Sequence, residues 1–120
     1  MNEVIIKNIS IGDELLIGQV VNTNAAWLGE QLSAVGFQLD SALTIGDSEQ
    51  AIIDAFNACM DADLVLVTGG LGPTADDITK PTVCKFFGTE LEFCQAAYDN
   101  VVAIFARRGF PMSERNRSQA

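Results

Sequence analysis

The chain has 120 residues, 48% of them apolar and 19% charged, which suits one globular domain with a real core. Its 16 acids outnumber its 7 bases for a net charge of −9, a balance that argues against a nucleic-acid partner, whose phosphates need Lys and Arg. Histidine is absent, so Ser-His and Cys-His nucleophile pairs and nearly all zinc sites are excluded, and acid–base or metal chemistry falls to Asp, Glu and Lys.

Met1-Asn2-Glu3 opens the chain without the charged segment and cleavage site of a signal peptide. The longest apolar run, Val101–Ala106, is far below the roughly 18 residues of a membrane span. Cys59, Cys84 and Cys94 form an odd, widely spaced set with no CxxC pair, which fits a reduced cytoplasm and core packing rather than disulfides. A cytoplasmic protein with no membrane partner is expected.

Val4-Ile5-Ile6 and Ile9 read as a first strand, followed by a polar, glycine-bearing stretch over 10–24. Asn24 is the predicted N-cap of a helix over 25–35, with Trp27, Leu28, Leu32 and Val35 as its apolar stripe and Gly36 just past its end. Phe37–Ile45 reads as the second strand. Asp47 is the predicted cap of the next helix, with Gln50 as its capping-box partner, and contact with a metal or ligand is its alternative role. Ile52, Ile53, Phe56, Cys59 and Met60 recur at helical spacing, and Asp61-Ala62-Asp63 ends that helix.

Leu64-Val65-Leu66-Val67-Thr68 is a continuous apolar run of the kind found in strands buried on both faces. It enters the loop Gly69–Pro73. Thr79 is the predicted cap of a further helix with Pro81 in its first turn and Gly88 at its end. Glu90–Phe93 reads as a short strand or extended turn. Gln95–Arg108 reads as a long helix with Tyr98, Val101, Val102 and Phe105 inward, closed by Gly109. Trp27 and Tyr98 are expected core anchors. Ser113–Ala120 reads as a polar tail that starts another helix. Strands alternating with helices predict right-handed βαβ units: an α/β fold with a mainly parallel sheet and helices on both faces. Ligands in such folds sit at the carboxyl ends of the strands, where the loops 10–24, 46–48 and 69–79 should gather.

The run Thr68-Gly69-Gly70-Leu71-Gly72-Pro73-Thr74-Ala75-Asp76-Asp77-Ile78-Thr79 carries the strongest chemical signal. Three glycines in five residues let backbone N–H groups approach phosphate oxygens ahead of a helix N-terminus. It is neither a GxGxxG fingerprint nor a Walker A loop. The structural alternative is a glycine-rich turn with two aspartates favouring a helix start. Asp13 and Glu14, at the end of the first strand, could meet Asp76 and Asp77. Convergent carboxylates without histidine suit Mg²⁺ or Mn²⁺, whereas a lone Asp-Glu pair is more often a solvated turn. Asn22-Thr23-Asn24 offers a ribose or phosphate contact or plain turn bonding, and Lys80 a phosphate partner or a surface charge.

Gly12-Asp13-Glu14-Leu15-Leu16-x-Gly18, Asn22-Thr23-Asn24, Asp47 and Thr68–Thr79, in this order, resemble the molybdopterin-binding superfamily of MoaB, MogA and MoeA. The glycine motif, and Asn116–Ala120, more closely resemble its competence/damage-inducible CinA branch. The resemblance spans essentially the whole chain. It implies a three-layer α/β/α sandwich and, in the CinA branch, metal-dependent hydrolysis of the ADP-ribose pyrophosphate. Binding of molybdopterin or a nucleotide without turnover is a second implication, and molybdopterin adenylylation or molybdenum transfer a third.

The resemblance implies a divalent metal held by Asp13, Asp77 and Asp47, with Asp76 or Glu14 orienting the water. Phosphate contacts would come from Thr68, Gly69, Gly70, Gly72, Thr74, Asn24 and Lys80. It further implies that residues 1–120 form a single domain that normally continues past Ala120, so a truncated form is expected. A small nucleotide or pterin phosphate is the expected ligand, and at least a dimer the expected assembly.

Overall fold

The computed structural model describes residues 3–117, 119 and 120. Three parallel strands form the sheet: β1 (Ile6–Ile11), β2 (Leu39–Ile45) and β3 (Leu64–Thr68), in the order β2-β1-β3. Helices α1 (Asp13–Leu16), α2 (Thr23–Ala34), α3 (Glu49–Ala58), α4 (Thr79–Phe87), α5 (Gln95–Arg108) and α6 (Glu114–Arg117) connect and flank them. The chain steps one way from β1 to β2 and back across β1 to reach β3. With right-handed crossovers, α2 and α3 must then cover opposite faces. This is the expected α/β fold with a parallel sheet.

The well-packed face lies under α3. Ile9 and Ile11 of β1 meet Ile52, Ala55, Phe56 and Cys59, all buried, with Leu43, Ile45, Val65, Val67 and Phe86 packed around them. Ile52 is wholly buried, so its stripe reads correctly from helical spacing. At the amino end of this face Lys7 pairs with Asp61 at 2.8 Å. The same face buries Cys59, which raises its thiol pKa.

The opposite side of β1 is polar. Asn8 and Ser10 are completely buried, and each is paired: Asn8 Nδ2 donates to the Leu66 carbonyl at 2.9 Å, and Ser10 Oγ to Asn8 Oδ1 at 3.1 Å. A buried amide and hydroxyl need these bonds to offset lost hydration.

Several expectations are corrected. Asn22, not Asn24, caps α2: its side chain accepts from Ala25 N at 3.2 Å. Ser48, not Asp47, caps α3, and Gln50 reaches forward to Asp54 instead of back to the cap. Thr79 is the first residue of α4, whose cap position is Ile78. The first strand begins at Ile6 and the second at Leu39, not at Val4 and Phe37. β3 is an edge strand, half-exposed along its length, not a strand buried on both faces, because the sheet ends there. Of the two alternatives for Glu90–Phe93, the strand does not form and the segment is irregular.

Trp27 is 60% exposed and so is no core anchor; Met60 and Val102 are exposed as well. Cys84 is half-buried and Cys94 exposed, so only Cys59 packs in the core. Helix α5 buries no residue, although Tyr98, Val101 and Phe105 are half-covered. Its radius of gyration, 16.0 Å, makes the molecule more extended than the about 13.6 Å of a compact chain this long. The tail turns back onto the entry to α5: Arg117 stacks 4.0 Å from the Phe93 ring centroid and 5.6 Å from that of Tyr98, and Cys94 N donates to the Ala120 carbonyl. Among the described residues no helix is long and apolar enough to cross a membrane.

Candidate functional site

Because all three strands are parallel, β1, β2 and β3 deliver Asp13, Asp47 and the glycine loop to the same end of the sheet. The expected gathering of the three loops therefore holds. What each side chain does there is more particular than the spacing suggested.

Asp13 and Asp47 brace each other. Asp13 Oδ1 accepts from the Asp47 backbone N at 2.9 Å, and Asp47 Oδ2 accepts from the Asp13 N at 3.2 Å. This crosswise pair ties the exit of β1 to the exit of β2 and brings two carboxylates together across 34 residues of sequence. It also explains why Asp47 is unavailable as a helix cap. Gly46 lies beneath it: a Cβ there would sit 2.5 Å from Asp13 Oδ1.

The glycine loop is shaped by backbone contact. Gly69 and Gly70 have φ of 94° and 66°, the left-handed region that glycine occupies at least cost. A Cβ on Gly69 would lie 2.0 Å from the Ile11 carbonyl oxygen. Thr79, almost wholly buried, fastens the loop from the other side. Its Oγ1 donates to the Gly69 carbonyl at 2.8 Å, and its N to the Gly70 carbonyl at 3.3 Å. The sequence predicts Thr79 as a helix cap. Its role needed the fold, because the partner carbonyls lie nine and ten residues back.

Asp77 closes the far half of the loop. Its Oδ2 accepts from the Thr74 hydroxyl at 2.7 Å and the Thr74 N at 3.0 Å. The Thr74 hydroxyl and then the Thr74 amide, with lesser help from the Gly72 amide and the nearby Lys80 charge, hold its carboxyl below the usual 3.8 against an opposing cost of burial. A carboxyl with a lowered pKa stabilises the folded state above its unfolded value, and that contribution is lost as pH falls through the folded value. Asp77→Asn should therefore be less stable than the parent protein at pH 6. The gap should close below the lowered pKa, under pH 3.8. Urea unfolding at both pH values checks this; equal stability at pH 6 would show that the hydrogen bonds contribute nothing. The naive expectation that removing one of many acids relieves repulsion is reversed here by the donors around this one.

Glu14, Asn22, Asn24, Thr68 and Gly69 line a cleft of about 150 Å³ between β1, β3 and the start of α2. Whole-ligand sites usually exceed about 300 Å³, so this cleft fits a phosphate or a sugar rather than an entire nucleotide. Glu14 folds over Gly12, where a Cβ would be 2.4 Å from its Oε1. Asp76 is exposed on the loop, and Lys80 follows Thr79 on α4. Among the described residues no three acidic or thiol side chains converge as a complete metal cage. Asp13 and Asp47 come together and Asp77 does not join them. Two carboxylates still fit the donor chemistry of Mg²⁺, which is typically bound by one or two carboxylates together with substrate phosphates and water.

Comparisons with known proteins agree with this architecture. The family model described as "Probable molybdopterin binding domain" matches residues 7–114. A CinA-like protein of Chloroherpeton thalassium is 50% identical over 115 residues, covering 92% of this chain and 27% of that protein. A CinA-like protein of Geotalea uraniireducens is 43% identical over 116 residues, covering 96% of this chain and 28% of that one. The chain thus spans about a quarter of the length of these relatives. The crystal structure of CinA from Thermoplasma acidophilum, described as of unknown function, superposes with a TM-score of 0.78 at 32% identity, covering 99% of this chain and 69% of that one. The molybdopterin biosynthesis enzyme MoaB of Thermus thermophilus shares the fold, with a TM-score of 0.65 at 19% identity over 91% of this chain and 68% of that one.

Proposed function

The chain belongs to the molybdopterin-binding domain family, in its CinA branch, and from that premise we propose that it binds the pyrophosphate of an ADP-ribose-like nucleotide and hydrolyses its phosphoanhydride with a divalent cation. The observation that carries this reading is the pairing of two features at one end of the sheet. A left-handed Gly69–Gly70 turn presses against β1, and the crosswise Asp13–Asp47 carboxylates stand beside the exits of β1 and β2.

In this reading the Gly69–Leu71 backbone and the Thr68 hydroxyl receive phosphate oxygens, while the Thr74 hydroxyl and the Gly72 amide are committed to Asp77. Asn24, at the start of α2, and Lys80, at the start of α4, contact the rest of the ligand. Asp13 and Asp47 would hold Mg²⁺ or Mn²⁺, which when bound polarises the phosphoryl oxygen and acidifies its water. Glu14, on the wall of the cleft, or exposed Asp76 takes the proton from the attacking water. Asp77 is assigned to holding the loop, in line with its bonds to Thr74.

The test is incubation with ADP-ribose and Mn²⁺, followed by chromatography for AMP. AMP above the level of a no-protein control is the expected result. Tight binding of the nucleotide with no AMP would convert the reading into a binding module, and no binding at all would remove it.

A further inference from the structure

Resting on the phosphate reading of the glycine loop, we infer that Thr79 is the positioning residue that aims two successive backbone N–H groups, those of Gly70 and Leu71, at the ligand's phosphate. The geometry is that of the peptide plane. No peptide bond among the described residues is cis, and in a trans peptide the C=O of one residue and the N–H of the next point in opposite directions. Thr79 Oγ1 holds the Gly69 carbonyl at 2.8 Å, so the Gly70 N–H turns away from α4. Thr79 N holds the Gly70 carbonyl at 3.3 Å, so the Leu71 N–H turns away as well.

One residue therefore fixes two adjacent peptide planes with the same sense. Consecutive N–H groups presented from left-handed backbone are the elements of an anion-binding concavity. Thr79 can do this because it is itself fixed, being 2% exposed and built into the first turn of α4. Glycine at position 70 is part of the same device: a Cβ there would lie 2.2 Å from Thr79 Oγ1, so a side chain would expel the hydroxyl. Thr79 does not itself touch the ligand, because both its polar groups are spent on the loop.

The experiment is amide-shift mapping by NMR with inorganic pyrophosphate and Mg²⁺, on the parent chain, Thr79→Val and Thr79→Ser. In the parent chain the Gly70 and Leu71 amides should move most within the loop. Thr79→Val keeps the shape and loses the donor; it should weaken pyrophosphate binding about tenfold or more, the scale of one lost hydrogen bond. Its Gly70 amide should no longer lead the response, while Leu71, whose peptide plane is held by the backbone N of residue 79, should still move. Thr79→Ser restores the hydroxyl and should bind within about twofold of the parent, a difference well below one hydrogen bond.

A purely structural Thr79 would lower the melting temperature yet leave the same amides responding, and that outcome overturns the inference. Should Thr79→Val not fold, the parent map decides: a response led by Gly72 and Thr74 overturns it, and one led by Gly70 and Leu71 supports it. A parent chain showing no response to pyrophosphate would overturn the phosphate reading together with this inference. A responding parent with an equally responding Thr79→Val overturns this inference alone.

Discussion

Gly69→Ala is expected to cost about 3 kcal/mol or more of folding free energy, and to abolish nucleotide binding in whatever remains folded. Two costs combine. The φ of 94° lies outside what an L side chain adopts comfortably. The added Cβ would also meet the Ile11 carbonyl oxygen at 2.0 Å, with Ile11 C and N close behind at 3.0 and 3.2 Å. These are backbone atoms of the central strand, and Ile11 is 2% exposed within the core, so they cannot move aside without dragging the sheet.

Gly18→Ala is the control, because its φ of 75° meets nothing within 4 Å. It should cost only the left-handed penalty, about 1 kcal/mol. Gly70→Ala should fall between, since its nearest contact is the Thr79 hydroxyl rather than backbone. Urea unfolding of the three variants reads the order directly. A Gly69→Ala no worse than Gly18→Ala would mean that the close approach to β1 has no energetic weight.

The apolar strand Leu64–Thr68 and the helix Gln95–Arg108 fall where the sequence places them. Both are signalled by local pattern alone: one by a continuous β-branched and leucine run, the other by helical spacing that stops at Gly109 with φ of 71°. The caps are displaced by one or two residues because Asn22-Thr23-Asn24 and Asp47-Ser48 each offer more than one competent oxygen. Local chemistry cannot choose between them. At the second site the choice is made by a tertiary partner, Asp13, which draws Asp47 away and leaves Ser48 to cap. Helix α1 escapes sequence reading because four residues cannot display a period.

Trp27 misleads for a different reason. An apolar stripe specifies that a helix has a face to bury, and says nothing of how much of that face the rest of the chain covers. Within the site, the residues were legible and their roles were not. The glycine spacing announces close backbone approach, but the atom approached, the Ile11 carbonyl, becomes known only from the strand order.

The second large effect concerns the cation. Residues 1–106 carry three bases against fifteen acids, so a pyrophosphate arriving at this end of the sheet meets a field of its own sign. The glycine amides supply only partial positive charge, and Asp13 and Asp47 stand nearby. A divalent ion held by Asp13 and Asp47 would supply positive charge there and reverse the sign of the interaction.

Pyrophosphate affinity should therefore fall about 100-fold or more when EDTA replaces Mg²⁺, equivalent to about 2.7 kcal/mol. Asp13→Asn should produce most of the same loss. Its amide oxygen can still accept from the Asp47 N–H, so the brace between β1 and β2 survives, and the metal-free fold should melt at or above the parent temperature. That separation of binding from stability is the diagnostic. Asp54→Asn is the matched control, since Asp54 is exposed on α3 and bonds only to Gln50 among the described contacts; it should alter neither quantity. Calorimetry with and without EDTA on the three proteins gives the answer. Unchanged affinity in EDTA would show that the backbone amides alone overcome the acidic field. An Asp13→Asn that unfolds, while the protein remaining folded still binds pyrophosphate in a Mg²⁺-dependent way, would reduce the Asp13–Asp47 pair to a structural clasp.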